Sequence, residues 1–118
     1  MPAAYYNARA MNEETQIGRI VRAAARSSYG VAAVAGDGAL QRLAARLGID
    51  SGGVTVRLAD TLSVRVNVHL AAGIPATQVA ANVAEAVRYQ VRRETGHQID
   101  ELVVTVDGIN PPGAEPVA

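Results

Sequence analysis

With 118 residues the chain has room for one hydrophobic core, and its 49% apolar content is mostly Ala and Val, with no Phe and no Trp. Side chains this small fill a thin two-layer core and bury less area than aromatics would, so the monomer is expected to gain from burial at an interface. The absence of Cys excludes disulfides, thiolate metal sites and thiol nucleophiles, and the absence of Lys removes Schiff-base chemistry. The eleven Arg are balanced by eleven acids, which argues against a phosphate-backbone binder.

In chain order, residues 1–11 show no period and read as a flexible N-terminal tail. Asn12 is an N-cap candidate ahead of Glu13 and Glu14, acids favoured at the positive end of a helix. The helix should run to about Ser28, with Ile17, Ile20, Val21 and Ala24 on one side and Gly30 as its stop. Val31 to Ala35 suits a brief strand. Asp37 can cap a short second helix in which Leu40, Leu43, Ala44 and Leu47 keep helical spacing, ended by Gly48.

After the Ser51, Gly52, Gly53 loop, Val54, Val56 and Leu58 alternate with Thr55 and Arg57, a half-buried strand. Ala59 to Thr61 makes a hairpin turn into Leu62 to Leu70. There, Leu62, Val64, Val66, Val68 and Leu70 alternate with Ser63, Arg65, Asn67 and His69. Pro75 opens a helix to about Thr95 whose one face is Ala76, Val79, Ala80, Val83, Ala86, Val87, Gln90 and Val91. Arg92 and Arg93 lie in its last turn, and Gly96 is its C-terminal cap. A last strand, Glu101 to Asp107, turns Leu102, Val104 and Val106 to one side, and a strand, helix, strand connection places it parallel to its predecessor. Pro111, Pro112 and Pro116 then mark residues 110–118 as a flexible C-terminal tail.

The expected fold is therefore α+β, two-layered, with a mixed three- to four-stranded sheet and helices on one face in the order α-β-(α)-β-β-α-β. A single domain is expected over residues 12–109. No stretch approaches the roughly 20 apolar residues of a membrane span, and no basic segment followed by an apolar run suggests a leader.

Several segments together resemble the alkaline shock protein family of Gls-type general stress and cell-envelope stress proteins. They are Gly52 to Leu58, the alternating strand Leu62 to Leu70, Gly73-Ile-Pro75, the Val79/Val83/Val87 helix, and Gly96 ahead of Leu102 to Ile109. The upstream segment Ile17 to Gly36, ending Tyr29-Gly-Val-Ala-Ala-Val-Ala-Gly36, resembles that family's helix and following turn. The resemblance spans roughly Asn12 to Ile109 and rests on pattern and order. It implies a small cytoplasmic bacterial protein of envelope stress or homeostasis that is not an enzyme. Some relatives self-associate and reach the membrane through a membrane-anchored partner, and others are encoded beside a fatty-acid kinase. The family offers no catalytic residues to carry over, and this chain departs from it in lacking Lys.

The residues themselves hold few sites. His69 beside Arg65 and Asn67 could serve as a ligand or proton carrier, but a site needs convergent partners and a solvated strand position is the plainer reading. His97 follows the Gly96 cap, where a cation is favoured. Two His without a spacing motif make a very weak metal signal. Gly36-Asp37-Gly38 lacks the Lys of a phosphate loop and reads as a helix cap, and Ser51-Gly52-Gly53 reads as a lead into a strand rather than an anion nest. The acid pairs Glu13/Glu14 and Asp100/Glu101 occupy positions that usually face water.

Arg57 and Arg65 could join Arg42 or Arg46 in a basic patch, but these strands lack the aromatics of a base-stacking platform. No catalytic, cofactor-binding or metal residue is assigned. The candidate interaction surface is Arg57, Arg65, Asn67, His69 and Val103, on the sheet face away from the helices. The expectation is a non-enzymatic, cytoplasmic protein acting through homo-oligomers or a membrane-anchored protein partner, without a cofactor. The alternatives are a small nucleic-acid-binding module and a small-molecule or metal-binding regulator.

Overall fold

The computed structural model describes residues 3–36 and 53–107, with side chains from residue 12 onward. The elements are α1 (Ala3–Arg26), β1 (Val31–Val34), β2 (Val54–Leu58), β3 (Leu62–Leu70), α2 (Ala76–Thr95) and β4 (Glu101–Asp107). The short helix expected after Asp37 and the C-terminal tail lie outside the described residues.

β3 is the axis of the sheet. It pairs antiparallel with β1 and β2 and parallel with β4, which makes the sheet mixed, as its sequence order implied. Asn67 reveals the layout, because a strand residue directs its N–H and its carbonyl to the same edge. Its N–H donates to the Gly53 carbonyl (2.8 Å) and its carbonyl accepts from the Ala35 N–H (3.0 Å). β1 and β2 therefore lie end to end along one edge of β3, and β4 occupies the other.

The alternation read from the sequence decides the two faces of this sheet. Leu62, Val64, Val66, Val68 and Leu70 are buried under the helices, each separated by a more exposed neighbour. Across from them, α2 offers Val79, Val83, Val87 and Val91, four residues apart and fully buried. α1 offers Ile17, Val21, Ala24 and Ala25. Val31, Val54, Val56, Leu102, Val104 and Val106 complete the layer. The core is mainly Val, with Ile17, Leu62 and Leu70 among its larger members and Ala24 and Ala25 as its small ones. Ile99, just ahead of β4, is also buried, at 4% exposure. No period marks it, because it lies in a connection.

α1 departs from the expectation at its start. It begins at Ala3 and runs through the stretch read as a tail, so Asn12 lies inside the helix rather than capping it. The physical reason is propensity: Ala3, Ala4, Ala8 and Ala10 favour helix, and no Gly or Pro falls between Pro2 and Gly18. It ends at Arg26, and the Ser27 and Ser28 hydroxyls donate to the carbonyls of Ala23 and Ala24 (2.7 and 2.8 Å). The Ala23 carbonyl also accepts from the Ser27 N–H (3.1 Å), so the two hydroxyls add to the backbone bonding of the last turn. Gly30 then takes a φ of +92°.

α2 matches its capping signals closely. Pro75 stands at the N-cap with an extended backbone. Gly96 takes the left-handed conformation (φ 78°, ψ −7°) and donates its N–H to the Arg92 carbonyl. That close by glycine at the C′ position is the arrangement expected where a side chain would be strained.

Two acids read as water-facing instead hold the elements together. Glu14 Oε2 accepts from the Leu58 N–H (2.7 Å), joining α1 to the end of β2. Asp100 Oδ2 accepts from the Leu62 N–H (2.7 Å), while its own N–H donates to the Leu62 carbonyl (2.9 Å). This reciprocal clasp fixes where β4 starts against β3. His97 Nε2 lies 3.5 Å from Glu13 Oε2, so it faces α1 rather than a ligand site.

Candidate interaction surface

Among the described residues the sheet face away from the helices is open, and strand register arranges it in rows. One row is Arg57, Ser63, Glu101; the next is Thr55, Arg65, Val103. Beyond them Asn67 stands beside Thr105, and His69 stands between Ala33 and Asp107. Five residues expected to form a surface, Arg57, Arg65, Asn67, His69 and Val103, do share this face. Arg57 and Arg65 are exposed, Asn67 and His69 half-buried, and Val103 is one of the exposed large apolar residues at 37%.

Sequence reasoning left two members out of this surface. Glu101 and Asp107 bracket β4, and the two-residue period that placed Val103 also places both of them on the open face. Their inclusion changes the electrostatics. The β2 side carries Arg57, with Arg65 at the centre, and the β4 side carries two carboxylates. The face is therefore polarised rather than basic. A phosphate backbone would meet acids along one flank, which weakens the nucleic-acid alternative on physical grounds.

His69 and Asp107 are neighbours in register, yet no group of three or more His, Cys, Asp or Glu converges among the described residues. Arg42, Arg46, Asp37 and Ser51, considered earlier for a basic patch or anion loops, lie outside those residues. On the opposite side of the molecule, a shallow groove of about 210 Å³ runs between the helices, lined by Ile20, Ala23, Ser27, Ala86, Gln90 and Glu94. Tyr89 is exposed nearby on α2, with the Arg93 guanidinium 6.0 Å from its ring centre. No described helix is long and apolar enough to cross a membrane.

Fold and surface together define a small α+β module whose polar sheet face none of the described elements covers. The chain belongs to the alkaline shock protein 23 family, of cell envelope-related function, whose pattern matches residues 7–111. No curated protein matches it. Among solved structures it is similar to MamM CTD variants. One, with a histidine changed to glutamate, shares 15% identity at a TM-score of 0.51, covering 81% of this chain and 95% of that one. A second, with an aspartate and a histidine changed to alanine, shares 16% at 0.51 over 82% and 95%. A third, triply substituted, shares 16% at 0.50 over 81% and 95%. At that identity the likeness is one of fold alone.

Proposed function

We propose that this envelope-related protein is not an enzyme and acts by contact, associating with itself or docking a protein partner through its open sheet face. One observation supports this most strongly: the uncovered face carries Arg57, Arg65, Glu101 and Asp107 around an exposed Val103, charged positions that suit a specific protein contact. The thin, Val-rich core, which holds no aromatic residue, supports the same reading, since burial of that face would add stability that small side chains supply sparingly. A cytoplasmic protein of envelope stress or homeostasis, brought to the membrane by an anchored partner, is the setting this reading assigns.

The test is sedimentation of the purified chain over a range of concentrations, combined with affinity capture from the native cell with membrane and soluble fractions kept apart. The reading expects a concentration-dependent oligomer, or a partner that is lost on substituting Arg57 and Arg65. A strict monomer that retains nothing would overturn it.

A further inference from the structure

We propose that the occupant of the open face is a second copy of this chain, turned over about a two-fold axis that runs along β3. The inference rests on the reading that this face is the contact surface, and it adds the partner, the symmetry and the pairs. In such a dimer each residue meets the one in its own row on the far side of the axis, because an isologous interface matches i with j and j with i. Arg57 and Glu101 flank Ser63 in a single row. Turned over, Arg57 of one copy faces Glu101 of the other, and Glu101 faces Arg57, so the charges complement each other twice.

The same operation sets Val103 against Thr55, and Asp107 against Ala33. Packed sheets stand about 10 Å apart with strands within about 30° of each other, a gap that Arg and Glu side chains bridge. The alternative two-fold, lying across the strands, exchanges the Ser63 row with the His69 row. That brings Glu101 over Asp107, a like-charge meeting of the kind that rejects a wrong arrangement. Charge thus selects the axis along β3.

The arrangement has one unfavourable contact, and it is diagnostic. Arg65 lies in the central column, so it meets Arg65 of the other copy at the axis. Removing that charge should strengthen a two-fold dimer of this form, whereas it would weaken a generic basic docking patch.

Equilibrium sedimentation of four variants beside the wild type tests the proposal, with thermal melts confirming that each is folded. Arg57→Glu and Glu101→Arg each introduce two like-charge contacts per dimer and should weaken it about tenfold. The double variant R57E/E101R exchanges the partners and should restore wild-type affinity, as complementary pairing across the axis requires. Arg65→Thr should tighten the dimer. Self-association that ignores the single reversals, fails to recover in the double variant, or weakens with Arg65→Thr overturns this geometry and leaves the contact reading standing. Growth beyond the dimer overturns the closed two-fold in favour of an open, edge-to-edge assembly. A monomer at every concentration overturns the proposal outright, and capture of a different protein by the same face would then leave the broader reading intact.

Discussion

Gly18 and Gly53 are the same residue under opposite constraints. Gly18 lies inside α1 with no left-handed backbone, and a Cβ there would stand 3.8 Å from Val56 Cγ2, an ordinary contact. Gly53 begins the second half of the shared sheet edge, and a Cβ there would fall 1.6 Å from the Ala35 carbonyl oxygen. That oxygen is already held, accepting from Arg22 Nη1 at 3.0 Å, and the Ala35 N–H is bound to Asn67. Gly18→Ala should therefore stabilise the fold by roughly 0.5–1 kcal/mol through helix propensity and a less flexible unfolded chain. Gly53→Ala should destabilise it by about 2 kcal/mol or more, since backbone must move. Denaturant midpoints of the two variants check both signs at once, and equal effects would contradict the end-to-end placement of β1 and β2.

At the scale of elements, regular burial was legible in the sequence and local clasps were not. The two-residue alternation of β2, β3 and β4 and the four-residue Val spacing of α2 each repeat often enough to fix a face, and the structure follows them. The start of α1 was missed because a run of Ala has helix propensity without amphipathic period. Asp100 was missed for a different reason: its partner, the Leu62 N–H, is 38 residues away, and nothing local announces it. The same applies to Glu14 and Leu58.

Asp100 accordingly ties two elements rather than decorating a surface. Asp100→Ala should cost about 1–2 kcal/mol, because the Leu62 N–H loses its acceptor, and Asp100→Asn should recover most of it by keeping a carbonyl oxygen there. Urea denaturation of the pair distinguishes the clasp from a simple charge effect, which Asn would not rescue.

For the whole molecule, the layers divide the surface into two unlike sides. The helix layer faces outward with Tyr29, Tyr89 and the Arg93 contact, and the sheet layer faces outward with the polarised rows around Val103. The candidate surface was readable in advance to the extent that alternation assigns faces. Its charge pattern was not, because pairing Arg57 with Glu101 across Ser63 requires the registers of two strand pairs, one antiparallel and one parallel. Family membership gives the envelope-related setting, and the geometry supports contact through the sheet face as the means.

The measurement that bears on that claim most directly is site-specific photo-crosslinking of the purified chain. A photoreactive residue is placed at Val103 on the sheet face or at Tyr89 on the helix layer. The account predicts a crosslinked dimer from position 103 and none from position 89. Crosslinking from position 89 with none from 103 would contradict it, placing the contact on the helices.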